Sequence, residues 1–249
     1  HFNEKFRRPI EGAQQDSALE LLHTLIAPFI LRRTKEEVTP ELPDRIETLL
    51  PVLLEGRQRQ IYDRYLTRER ARLLRIQLNN EGVQGRFEVL AALTRLRQLS
   101  LDPALVDERY EGVGSAKIDL LCSHLEQIVP AGHQVLVFSQ FVSFLERIDS
   151  ALKERGISCL LLEGKTRKRE DVIEKFRRGE GSVFLISLKA GGVGLTLTEA
   201  DYVYIMDPWW NPSVEAQAVN RAHRIGQDRA VNVYRLVAQD TIEEKVCQL

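Results

Sequence analysis

Gln217, Arg221 and Arg224 recur at i, i+4 and i+7 in the run Gln217-Ala-Val-Asn-Arg221-Ala-His-Arg224-Ile-Gly-Gln227. On a helix that spacing places all three on one face. Two guanidiniums aimed the same way, with an amide beside them, form an anion clamp. Arginine keeps its charge at any working pH, and its fork fits phosphate oxygens in pairs. Such a clamp can neutralise charge developing on a γ-phosphate, the arginine-finger role in nucleotide hydrolysis. A solvated basic helix face is the competing reading, since most surface arginines have no special task.

Other residues that bear on chemistry follow apolar runs. Ser187-Leu-Lys189-Ala-Gly191-Gly192-Val-Gly194-Leu-Thr196 places three glycines within four residues directly after one such run. They allow close backbone approach to a ligand, or simply a tight turn. Asp207-Pro-Trp209-Trp210-Asn-Pro212 follows the next run; its prolines fix a turn, and its tryptophans could pack internally or brace a nucleic-acid-facing surface. Basic residues concentrate in 57–75 and in 165–178. Each run reads either as a solvated helix face or as a track for a phosphate backbone. Gly164-Lys165-Thr166 resembles the end of a P-loop, but Cys159 stands where that motif needs glycine. With no acidic metal-holding motif after an apolar strand, the clamp lacks a site to hold nucleotide and magnesium.

The elements that must position these groups divide the chain in two. Residues 1 to about 110 read as mostly helical: a helical period over 17–26, Pro40 and Pro43 before an extended 46–54, then amphipathic helices over 57–78 and 87–99. Asp102 to Gly114, with Pro103 and Gly112, reads as a linker. Beyond it, strands 135–139, 159–162, 183–187, 201–206 and 231–237 alternate with helices, notably 141–155 and 170–178. This pattern predicts an α/β fold, a parallel sheet covered on both faces. Functional residues of such a sheet gather at the strands' carboxyl ends, where Ser139, Gly164, Ser187 and Asp207 fall.

Composition narrows the class. The 249 residues carry 35 Lys+Arg against 36 Asp+Glu, so nucleic-acid contact must come from local patches and not from a whole-chain field. Cys122, Cys159 and Cys247 are odd in number and widely spaced, which fits a reducing compartment and no disulfide framework. There is no apolar run of transmembrane length, and no membrane partner is expected. The opening at His1 and the close inside a helical Thr241–Leu249 point to a segment of a longer protein.

Together these residues resemble the Swi/Snf-type ATPases, DNA translocases of helicase superfamily two, over nearly the whole chain. Phe2, Phe6 and Pro9-Ile-Glu11, then Pro28-Phe-Ile-Leu-Arg32-Arg33-Thr34-Lys35 and Glu41-Leu-Pro43, are similar to the end of the family's first motor lobe. Leu93-Thr-Arg-Leu-Arg97-Gln resembles the helix leading to the second lobe, which Ser115-Ala-Lys117 and Val135-Leu-Val-Phe-Ser139-Gln140-Phe would open. Gly164 to Phe176, Ser187 to Thr198 and Gln217 to Gln227 resemble its successive motifs, the first in the short spacing of bacterial members.

The resemblance implies an end of lobe one over 1–35, a helical protrusion and linker over 36–110, and a RecA-like second lobe over 115–249, truncated at its C-terminal end. It implies Arg221 and Arg224 as fingers reaching ATP and Mg held mainly by the first lobe, with Gln217, Gly192 and Gly194 near the nucleotide. Ser139, Gln140, Lys165, Thr166, Arg169, Ser187, Lys189, Trp209 and Trp210 would face double-stranded DNA. The full protein would hydrolyse ATP and remodel a DNA-bound protein target, and this chain alone would be inactive. A bacterial cytoplasmic setting is expected, or a nuclear one in a eukaryote. A strand-separating superfamily-two helicase and a catalytically silent docking module remain open. Asn220 stands where the family commonly has Asp, removing a charge beside Arg221, and Thr196 replaces a frequent Asn.

Overall fold

A computed structural model describes residues 2–12, 15–30, 42–78, 82–189, 195–208 and 211–247. The chain forms two compact units, His1–Glu41 and Leu42–Leu249. In the first, helical turns over Asn3–Ile10 lead to α1 (Gln15–Ile26), which ends in a 3-10 turn at Pro28. Leu21, Leu25 and Phe29 of this unit are exposed. The expected signature over 32–35 and Glu41 lies outside the described residues.

The second unit is built on six strands: β1 (Arg45–Val52), β2 (Val135–Ser139), β3 (Cys159–Leu162), β4 (Val183–Ser187), β5 (Tyr202–Ile205) and β6 (Val231–Ala238). Their order is β1-β6-β5-β2-β4-β3, with every pair parallel. Strands β2 and β4 are buried at every position, which is why they read as unbroken apolar runs. Over one face lie α4 (Ala116–Ile128) and α5 (Val142–Glu154), packing Leu121, Leu125, Phe144 and Ile148 on Val135, Val137 and Leu185. The other face is covered by α6 (Arg169–Arg177) and α7 (Pro212–Val219), through Ile173, Phe176 and Val219 on Phe138, Phe184 and Ile205. Each fully buried side chain of this size contributes roughly 1.5–3 kcal/mol.

Helices α2 (Gly56–Leu78) and α3 (Gly82–Leu101) form a helical hairpin. Its base packs Leu54, Ile61, Tyr62, Leu96 and Leu99 against Ala238 at the end of β6. The Tyr62 hydroxyl accepts a hydrogen bond from the Ile242 N–H, which opens α8 (Ile242–Cys247).

Two expectations need correcting. The extended run after Pro43 belongs to the sheet: β1 pairs with β6 from Arg45↔Val231 to Val52↔Ala238, so the lobe's sheet recruits residues well before 115. Pairing satisfies the outer edge of β6, which sits about 185 residues away and gives no local signal. The stretch 102–114 is a set of fixed turns instead of a bare linker. Asp102 and Asp107 cap successive 3-10 turns, and Asp102 also holds Arg147 of α5 at 2.5 Å. Gly112 (φ 77°) and Gly114 (φ 90°) supply left-handed backbone before Ser115 caps α4.

Candidate functional site

Strand β2 lies between β4 and β5, and the chain leaves these two on opposite sides of it. That is a topological switch point, and the crevice beyond its carboxyl end is where an open α/β sheet binds ligands. Ser139, Ser187 and Asp207 gather there, as the apolar runs predicted.

Ser139 and Ser187 are both buried. The Ser139 hydroxyl accepts from the Phe141 N–H at 3.1 Å and bonds Asp207, while its carbonyl accepts from Leu188. Asp207 is fully buried. Both of its carboxylate oxygens accept from the Gln140 N–H at 3.1 Å, and one also accepts from Arg97 Nη2 at 3.3 Å. Burial pushes this carboxyl up to about 6, although Arg97, Ser139 and Gln140 oppose the shift. Sequence reading had placed Asp207 at a strand end but missed its link to Arg97, 110 residues earlier. Gln140 is partly buried, and its side-chain Nε2 has no hydrogen-bond partner among the described residues.

The loop after β3 presents Lys165 to solvent, and Arg169 stands exposed at the start of α6. Thr166 is occupied with its own turn: its hydroxyl accepts from the Glu163 N–H at 3.0 Å, and its N–H donates to the Glu163 carbonyl. Lys189 is exposed just beyond β4. Gly192, Gly194, Trp209 and Trp210 lie outside the described residues.

The arginine run is not one helix, contrary to the spacing argument. Helix α7 carries Gln217 and stops at Val219. In a continuing helix the Arg221 carbonyl would accept from residue 225. Here it accepts from Leu197 at 2.9 Å, and a chain of short turns follows through Gly226 (φ 102°). Gln227 staples those turns, donating from Nε2 to the carbonyls of Ala200 and Ala222. His223 Nε2 donates to the Pro43 carbonyl at 2.8 Å, tying the turns to the entry of β1.

The two arginines are therefore placed differently. Arg224 is exposed and donates from Nη1 to the Thr196 hydroxyl at 3.2 Å, so the residue replacing the frequent Asn holds it. Arg221 is only 7% exposed, and burial alone lowers its pKa. Among the described residues no carboxylate pairs with it, and its Nε has no hydrogen-bond partner. An unpaired guanidinium held mostly out of water is costly unless an anion completes it.

The basic stretch 57–75 is partly consumed internally: Arg59 pairs with Asp63 and Arg72 with Glu88, while Glu69 takes Arg95. Arg64, Arg68, Arg70 and Arg75 remain exposed. Among the described residues no cluster of His, Cys, Asp and Glu could hold a metal ion, and no helix is long and apolar enough to cross a membrane.

A six-stranded parallel sheet with helices on both faces is an α/β RecA-like fold. Residues 1–105 match the SNF2-related domain and 116–226 the helicase conserved C-terminal domain, and the chain belongs to the Swi/Snf family. It is 36% identical over 250 residues to an uncharacterised ATP-dependent helicase of Mycoplasma pneumoniae, covering 98% of this chain and 23% of that protein. A putative ATP-dependent helicase/translocase of Bacillus subtilis is 35% identical over 98% of this chain and 27% of its own length. The chain thus spans about a quarter of these relatives. Among solved structures, the Sulfolobus solfataricus SWI2/SNF2 ATPase core in complex with double-stranded DNA matches with a TM-score of 0.71 and 32% identity, over all of this chain and 53% of that one. The C-terminal part of the Fun30 ATPase domain matches with a TM-score of 0.71 at 26% identity, over 84% of this chain and 90% of that one.

Proposed function

We propose that this chain is the C-terminal half of a double-stranded-DNA-dependent ATPase that translocates along DNA and remodels protein–DNA complexes. The observation that carries the reading is Arg221, a mostly buried guanidinium with no carboxylate partner among the described residues. It suits a terminal phosphate brought in from another lobe, with Arg224 and Gln217 contributing from the adjoining turns. Magnesium and the nucleotide's main binding loop belong to the preceding lobe in this reading. The exposed Leu21, Leu25 and Phe29 of the first unit suit coverage by that same lobe.

Exposed Lys165, Arg169 and Lys189, with the free amide of Gln140, are the groups on this side suited to a DNA backbone. Closure of the two lobes on ATP would bring Arg221 to the γ-phosphate, and alternating closure would step them along one strand. Arg221 acts there by stabilising charge that develops as water attacks. Alone, the chain should not turn ATP over.

The test is ATP turnover by the protein in which this chain follows its first lobe, with and without double-stranded DNA. Turnover that rises on DNA and is lost in Arg221→Ala is expected. DNA-stimulated turnover that survives Arg221→Ala would overturn the assignment of the finger. Turnover indifferent to DNA would overturn the translocase reading.

A further inference from the structure

Arg97 sits on α3, in the hairpin, yet its side chain ends inside the crevice at the sheet's carboxyl edge. Its Nη2 donates to the Asp207 carboxylate and to the Pro208 carbonyl, each at 3.3 Å, and its guanidinium lies 5.4 Å from the centre of the Phe141 ring. These three partners come from the ends of β5 and β2. Asp207 in turn fixes the backbone N–H of Gln140 and the hydroxyl of Ser139. Pro208 immediately precedes Trp209 and Trp210. One side chain of the hairpin therefore holds both loops that flank the switch point.

Stability alone is a poor reason for such an arrangement. Taking two opposite charges out of water costs several kcal/mol per ion, and a well-packed apolar pair is often as stable. What the ion pair adds is geometry. A planar fork can serve a carboxylate, a carbonyl and a ring at fixed angles, which a point-charged lysine cannot.

We propose that Arg97 is a positioning residue through which the α2–α3 hairpin sets the conformation of Gln140 and of the Pro208 turn, and so sets how tightly this edge engages double-stranded DNA. The proposal rests on the reading that this edge faces DNA. Asp207 is faced by Arg97 from α3, Lys117 from α4, and Ser139 and Gln140 from the end of β2. Arg97 is faced in addition by Glu243 of α8 and Glu215 of α7.

The experiment compares wild type, Arg97→Gln and Arg97→Lys in the protein that joins this chain to its first lobe, measuring ATP turnover against double-stranded DNA concentration. In Arg97→Gln the half-saturating DNA concentration should rise about tenfold, the size of one charge-assisted hydrogen bond. Turnover at saturating DNA should fall far less, and Arg97→Lys should lie between the two. A folded Arg97→Gln with wild-type DNA dependence overturns the proposal; if that variant does not fold, unchanged DNA dependence in Arg97→Lys does so.

A second readout uses this chain alone, whose only tryptophans are Trp209 and Trp210. Their emission should shift in Arg97→Gln and, to a smaller extent, in Arg97→Lys. If wild-type turnover ignores DNA, the translocase reading falls on its own, and unchanged emission in the folded variant would then refute positioning by Arg97.

Discussion

Arg97 and Arg221 are both almost wholly buried in the second unit, and they are served in opposite ways. Arg97 is closed: a carboxylate, a carbonyl and an aromatic ring surround it. Arg221 is open: no carboxylate pairs with it among the described residues. The Lys117 region resembles Arg97. Lys117 Nζ, fully buried, donates to the carbonyls of Met206 and Leu236 and to Glu243, which also accepts from Ala238 and Ser100. In this fold, charges that build the lobe have their partners within it. On the proposed reading, Arg221 keeps its place for a ligand.

The comparison breaks most easily at Arg221. If it is an open charge serving catalysis, Arg221→Ala should lower ATP turnover in the two-lobe protein at least about a thousandfold. The same change should leave the urea unfolding midpoint of this chain unchanged or higher, because it removes an uncompensated buried charge. A large loss of stability without loss of turnover would show Arg221 to be closed, like Arg97.

Glu243 should behave in the opposite way. Glu243→Ala leaves Lys117 among carbonyls without its direct ion-pair partner, which costs about 3–5 kcal/mol for a buried pair broken on one side. Denaturant unfolding of this chain would measure it. A cost under about 1 kcal/mol, the range of an exposed pair, would mean the network does not organise the lobe.

Asp207 sharpens the contrast through pH. Its folded carboxyl is pushed up to about 6 from the ordinary 3.8, so the folded state binds this proton more tightly than the unfolded state does. The stabilisation from this group is therefore complete below about pH 4 and is lost as pH rises through about 6. Relative to Asp207→Asn, wild type should lose roughly 2–3 kcal/mol between pH 4 and pH 7. Parallel profiles for the two proteins would place this carboxyl in contact with water.

How far the sequence foretold this arrangement depends on the range of each interaction. Strands β2 and β4 were legible to the residue because two-sided burial demands unbroken apolar runs, a purely local requirement. The helices α2 and α3 were legible too, from the apolar periods of 57–78 and 87–99, but not their pairing. Membership of β1 in the sheet was not, because its partner β6 lies at the other end of the chain. The arginine run misled for a related reason: its spacing is helical, but Leu197 captures the Arg221 carbonyl and ends the helix from outside. Pairing of Arg97 with Asp207 leaves no trace in either local segment. The candidate residues were thus legible by type, while whether each is open or closed was set by distant parts of the chain.

Thr196 gives the smallest and most local prediction. Its hydroxyl accepts from Arg224 at 3.2 Å and near solvent, so Arg224 stands between the open and closed cases. Thr196→Val keeps the shape and removes the acceptor, a loss of about 0.5–1 kcal/mol from one exposed hydrogen bond. If the bond only parks Arg224 between cycles, freeing it should leave turnover within about twofold and lower the half-saturating ATP concentration slightly. If the bond aims Arg224 at the nucleotide, turnover should instead fall by about threefold to fivefold. Comparing half-saturating ATP with maximal turnover in Thr196→Val separates the two. The first result would make Thr196 a resting partner for an open charge, and the second would make it part of the clamp.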